Sequence, residues 1–218
     1  ELLLRQFGVL DWTHFEHASA TATVTGGGTT AQLARNLEVS SSATGTSTAL
    51  LRLTTAANFN GYSMGQDFNV IDWSKRVVIV CRFVPRGTTN GITRFQFGRT
   101  NNITTKADAA VRSLGFRIAN LAISGMHHDG TTLSTDSLGV TLTASRPALF
   151  VAVSSGTGNV EYFLNTATGQ LVSRATATDG PSAAGTADDD TVCLSVDNGG
   201  DAVIQMLAIN TLWIGVGQ

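Results

Sequence analysis

Along most of this chain apolar residues recur at every second position or in short unbroken runs, and both patterns belong to β-strands. The sharpest alternation is Arg94-Phe95-Gln96-Phe97, where both phenylalanines face one way and Arg94 and Gln96 the other. The run Val77-Val78-Ile79-Val80-Cys81 is apolar at both parities, which predicts a strand covered on both faces. The pattern predicts strands over 32–39, 49–54, 76–84, 92–97, 114–118, 121–124, 139–143, 148–153, 159–165, 170–175, 191–197, 202–209 and 212–216. Helical alternatives exist only over 2–10 and 105–113, and neither is long enough to organise a fold.

The separators carry turn chemistry: Gly26-Gly27-Gly28, Asn60-Gly61, Asn90-Gly91, Asp129-Gly130, Gly156-Thr157-Gly158, Asp179-Gly180-Pro181 and Asn198-Gly199-Gly200. Many short strands joined by such turns predict a sandwich or barrel. No fixed-period repeat points to a propeller or solenoid, and no linker or charge block divides the chain. The expectation is an all-β protein, a single-domain antiparallel β-sandwich of jelly-roll type spanning residues 1–218.

Composition narrows the setting. The 218 residues are 42% hydrophobic, enough for a substantial core, and 14% charged against about 25% in an average globular protein. A net charge of −2 leaves no electrostatic footprint for nucleic acid, and no apolar run approaches the ~20 residues of a membrane-spanning helix. The basic residues are twelve Arg and two Lys (Lys75 and Lys106), so most are planar forks suited to fixed hydrogen bonds. A surface of Thr, Ser, Asn and Gly with few Lys or Glu suggests an extracellular or virion setting. The first ten residues lack the basic start of a signal peptide and an initiator Met, as in a processed chain or a fragment. Cys81 and Cys193 both fall in strand-like runs; they are two buried thiols, or a single bridge if their strands are neighbours.

From about Phe95 to Gly200 the order of short motifs resembles the concanavalin A-like lectin/glucanase superfamily, in its laminin-G-like and pentraxin-like branch. The pieces are Leu114–Leu121, His127-His128-Asp129-Gly130-Thr131, Gly139–Thr143, Pro147–Val153, Asn159–Asn165 and Asp197-Asn198-Gly199. The resemblance implies a concanavalin A-like sandwich whose loops bind ligand. Retaining glucanases of that superfamily carry Glu-x-Asp-x-Glu or Glu-x-Asp-x-x-Glu on one strand, because their chemistry needs carboxyls about 5–5.5 Å apart. This chain has only four Glu, at 1, 16, 38 and 161, and no two share a strand. The Gln-x-His strand of the similar alginate-lyase fold is also missing, as are a Gly-x-Ser-x-Gly elbow, a Walker loop and a Cys-x-x-Cys.

Candidate binding groups remain. His127, His128 and Asp129 form either a ligand loop, stacking on and hydrogen-bonding a sugar, or a polar hairpin turn with Asp-Gly present for its positive φ. By parity Arg94, Gln96, Arg117 and Glu161 project away from the apolar faces of their strands, and on one sheet they would make an outer face for an acidic glycan or a partner subunit, or a solvated face. Trp12 and Tyr62, beside polar neighbours, are the sugar-stacking candidates, whereas Trp73 and Trp213 read as packing residues. His14 and His17 share a face if helical but lack further zinc ligands nearby. Asp188, Asp190 and Asp197 are the acids that could hold calcium, the one cofactor suggested, or belong to a solvated Asp-rich loop.

The leading expectation is a non-enzymatic extracellular or virion-associated recognition module that binds a glycan or polysaccharide. The alternatives are a structural subunit of a capsid, fibre or surface assembly, with copies of itself as partners, and a polysaccharide hydrolase or lyase centred on Glu161.

Overall fold

The computed structural model describes residues 11–15, 22–26, 29–33, 36–40, 48–53, 72–86, 91–99, 111–166, 169–182, 190–198 and 206–217. The described elements are all strands: β1 (Asp11–Phe15), β2 (Ala22–Gly26), β3 (Thr29–Leu33), β4 (Asn36–Ser40), β5 (Thr48–Leu53), β6 (Val77–Arg86), β7 (Ile92–Arg99), β8 (Val111–Ala119), β9 (Ala122–His128), β10 (Leu133–Thr141), β11 (Ala148–Ser154), β12 (Val160–Thr166), β13 (Val172–Ala177), β14 (Asp190–Asp197) and β15 (Met206–Val216). Every ladder is antiparallel.

Two sheets face each other. The seven-stranded sheet runs β10-β9-β8-β7-β14-β5-β2, and the eight-stranded sheet runs β13-β12-β11-β6-β15-β4-β3 with β1 also paired to β15. This is an all-β antiparallel sandwich, as the alternation predicts. Its core interleaves Phe95, Phe97, Leu114, Phe116 and Leu194 of one sheet with Ile79, Phe83, Phe150, Tyr162 and Leu164 of the other. Phe116 is the hub, its ring 4.5 Å from Phe83, 5.4 Å from Phe95 and 5.1 Å from Phe150. Such aromatic pairs add to the burial of their area, which is the main source of stability.

Strand β6 is covered on both faces, as its double-parity run predicts. Val77, Ile79, Cys81 and Phe83 join the inter-sheet core, while Val78 and Val80 form a second cluster with Val151, flanked by Leu149, Val153, Phe163, Leu171 and Trp213. Trp213 therefore packs on the outer face of the eight-stranded sheet, and Trp73, 1% exposed, packs against Phe97 at 6.1 Å.

Several sequence expectations are corrected. The strand expected over 32–39 is a hairpin of β3 and β4, and those expected over 202–209 and 212–216 are one strand, β15, with a register shift between Ile209 and Thr211. Strand β1 was not anticipated: its residues Trp12 and His14 lie opposite Gly215 and Trp213, so His14 is on a strand and not on a helix. His17 lies outside the described residues, as do 2–10 and 105–110. Cys81 and Cys193 are both buried free thiols on different sheets, so the bridge is not formed.

Candidate functional site

The inward set on the seven-stranded sheet leaves its alternate residues on the outer face. Because Phe95, Phe97, Leu114, Phe116 and Leu194 enter the core, Arg94, Gln96, Arg117, Ser195, Met126 and His128 point the other way. The register sorts them into rows across the strands. Arg94 lies opposite Arg117 on one side and Ser195 on the other, and Arg117 lies opposite Ser124. The next row is Met126, Gly115, Gln96 and Cys193, in which Gln96 Nε2 reaches Met126 Sδ at 3.8 Å.

Parity is right about direction here but does not give exposure. Arg94 and Gln96 are 4% and 1% exposed, so the face is closed to solvent at β7, a strand in the middle of its sheet, and opens towards the half-buried Arg117. Two donors in the first row are buried without a hydrogen-bond partner: Arg117 Nε and Ser195 Oγ.

At the end of β9 the chain turns through Asp129–Thr132. Asp129 Oδ1 accepts from the backbone N–H of Thr131 and of Thr132, both at 2.6 Å, and Gly130 adopts φ +111°, a conformation for which glycine is suited. Those backbone hydrogen bonds, Thr132 first, hold the Asp129 carboxyl below its ordinary value. The Gly130 N–H donates to His128 Nδ1 at 2.9 Å, which leaves the neutral ring's proton on Nε2. Desolvation by burial lowers the His128 pKa and favours that neutral form. The hairpin-turn chemistry expected of Asp-Gly is present, and it presents a carboxylate and an imidazole donor at the end of the polar outer face.

His127 is separated from this site by one residue and one reversal of direction. It is fully buried on the inner face, with Nδ1 2.8 Å from Tyr162 Oη and 3.4 Å from Asp136 Oδ2, and Nε2 2.9 Å from Asp179 Oδ1. Ser134 Oγ donates to Asp179 Oδ2 at 2.6 Å. Burial pushes the Tyr162 hydroxyl well up and raises Asp136, whereas the hydrogen bonds from Ser134 and then His127 lower Asp179. This group ties β9 and β10 of one sheet to β12 and the turn after β13 of the other. His127 is therefore a sheet-to-sheet tie and not a ligand contact, a correction that follows from strand parity.

The structure does not bring the other candidates to this face. Glu161 is on β12 of the eight-stranded sheet, opposite Val153 and Thr176, so it shares no face with Arg94 and Arg117. Trp12 is on β1 of that same sheet, and Tyr62 and Asp188 lie outside the described residues. Asp190 and Asp197 close opposite ends of β14, seven residues apart, or roughly 24 Å along a strand, so they cannot share one ion. Among the described residues no group of three or more His, Cys, Asp or Glu is placed to hold a metal. Ser195, Tyr162, Asp136 and Asp179 were missed by sequence reasoning. Asp179 was legible only as part of a turn, the neighbours of Ser195 are set by cross-strand register, and Tyr162 meets His127 only through the packing of one sheet on the other.

No protein-family model matches this sequence, and no curated protein matches it. Solved structures do share its fold. A protein of unknown function from Shewanella oneidensis MR-1 superposes with a TM-score of 0.61 at 11% identity, over 94% of this chain and 85% of that one. Lectin UEA-II complexed with galactose gives 0.59 at 11% identity, over 96% of this chain and 100% of the lectin. A structure concerned with botulinum neurotoxin type C, whose cell entry depends on interaction with two ganglioside molecules, gives 0.51 at 10% identity, over 92% of this chain and 44% of the toxin chain. At these identities the likeness is one of fold: a lectin-like β-sandwich.

Proposed function

We propose that this chain is a non-enzymatic recognition module of the concanavalin A-like superfamily, one domain acting outside the cell or on a virion, that binds glycans. The observation that supports the reading is the His128–Thr132 turn at the end of β9, with its partly exposed Asp129 carboxylate, on a sandwich of the fold found in a galactose-bound lectin. Arg117, His128 Nε2–H and the Asp129 carboxylate together offer donors and an acceptor to sugar hydroxyls. The hydrolase or lyase alternative centred on Glu161 is weakened, because the residues opposite it, Val153 and Thr176, bring no second carboxyl.

The test is a broad glycan array probed with calcium and again with chelator. Specific binding is expected, and it should be lost in His128→Ala and in Asp129→Asn; the latter keeps an oxygen for the Thr131 and Thr132 N–H groups. A blank array with folded protein overturns the reading. Binding that chelation abolishes would add calcium to it. A blank array would favour the second reading, a structural subunit. Support for that reading lies in the apolar outer face of the eight-stranded sheet around Trp213 and Phe163, and it predicts a stable oligomer in light scattering.

A further inference from the structure

Four described residues other than glycine carry a positive φ, and three of them lie in turns: Asn120 and Leu121 between β8 and β9, and Ser145 after β10. The fourth, Arg112 at φ +53°, lies inside strand β8. It is the extra residue of a bulge, because Gly98 of β7 pairs with Ser113 while Arg99 pairs with Val111. Left-handed backbone disfavours a side chain, and glycine is the customary residue at a bulge of this kind. Strand β7 makes room for the bulge: a Cβ on Gly98 would collide with the Arg112 carbonyl and stand 2.7 Å from Ser113 Cα. The arm of Arg112 lies on the His128–Thr132 turn. A Cβ on Gly130 would be 3.2 Å from Arg112 Nε, 3.4 Å from Cγ and 3.9 Å from Cδ. His128, opposite Ser113, accepts from the N–H of that same glycine, and Asp129 immediately precedes it.

We propose that Arg112 is a ligand-binding residue of this turn, acting with Asp129 on one pair of adjacent hydroxyls of an uncharged sugar. Strained backbone persists only where the surrounding structure enforces it, and it concentrates at ligand sites. An arginine held where glycine would be easier is explained by a task for its side chain. Asp129 Oδ1 is taken by the Thr131 and Thr132 N–H groups, which leaves Oδ2 to accept from one hydroxyl. Arg112 is half buried and already engaged with the protein, but the five N–H donors of a guanidinium can hold a neighbour and a second hydroxyl together. Both groups adjoin Gly130, so a single sugar reaches both. Their charges cancel, whereas an anionic ligand would be repelled by Asp129 and by Asp179, whose charge acts on Asp129. The assignment to a sugar rests on the glycan reading above.

The experiment measures affinity and stability together in Arg112→Gly, which removes the arm and relieves the backbone. The full chain is screened on an array of neutral, uronate-bearing and sulfated oligosaccharides. Calorimetric titration follows with the tightest neutral sugar and with its deoxy analogue lacking one of two adjacent hydroxyls. Neutral sugars should bind. The deoxy analogue, and the Arg112→Gly protein with the intact sugar, should each lose about tenfold or more in affinity, while the melting temperature of the variant holds or rises. Arg112→Asn, which also tolerates left-handed backbone, should behave in the same way. Affinity unchanged in both folded variants, with or without a lowered melting temperature, overturns the role of Arg112 and leaves the glycan reading standing. A preference for uronate or sulfate overturns the assignment to an uncharged sugar. A blank array with folded wild type overturns the glycan reading and the role of Arg112 with it.

Discussion

Gly125 sets what can stand beside it. A Cβ built there would lie 2.6 Å from the Tyr162 ring, so only glycine lets that ring lie flat against β9 and carry its hydroxyl to His127. Gly125→Ala forces the ring, and with it the hydrogen bond, to move. Overpacking of this kind costs about 1–3 kcal/mol, so the urea midpoint should fall accordingly, and an unchanged midpoint would mean that the ring has room to retreat. The two consecutive histidines make a related point. One imidazole is buried between the sheets and the other, on the opposite face of β9, accepts from the N–H of the turn residue Gly130, although they are chemically identical and adjacent in the chain. Period-2 alternation implies that they must point apart. It does not say which one faces the partner sheet, because that depends on which face of β9 is apolar, and the face that includes Gly125 carries little pattern of its own.

At the level of elements, the group around His127 joins the edges of the two sheets, with Asp179 as the link from the turn after β13. Asp179→Asn should lower stability by about 1 kcal/mol at pH 7, a figure reduced for the exposure of its side chain. The pH dependence has a definite sign. The carboxyl of Asp179 is depressed in the folded state, so its contribution is complete above the ordinary carboxylate value of about 4 and disappears as pH falls through the lower folded value. Urea denaturation of wild type and variant should therefore differ at pH 7 and converge near pH 2, and a constant gap would rule out this linkage. Asp136 acts in the opposite sense: burial raises it, so its folded-state penalty is present at neutral pH and relieved on acidification. Most strands were legible from the alternation of Phe95 and Phe97 or the run of β6, because burial of one or both faces imposes those patterns. Strands β1 and β2, each five residues long, were not anticipated.

For the whole molecule, the two thiols report how the sheets are arranged. Cys81 faces the core from β6 and burial pushes its thiol well up, while Cys193 is buried on β14 of the other sheet. Neither should react with a thiol reagent at pH 8 until denaturant is added, and reductant should leave the melting temperature unchanged. Reaction of the native protein, or a melting point lowered by reductant, would contradict the arrangement. The polar outer face is a property at this same scale. Arg94, Arg117 and Ser195 come from three segments of the chain and form one row only because β7 pairs with β8 on one side and β14 on the other. Glu161 shares their parity but lands on the opposite sheet. By itself the amino-acid order determined the strand class, the direction of side chains along each strand and the Asp-Gly turn, since these depend on period, propensity and neighbouring residues. Strand order, register and cover were decided only by the tertiary structure. They arise from contacts between residues distant in the chain, and those contacts determine which polar groups are satisfied and which are not.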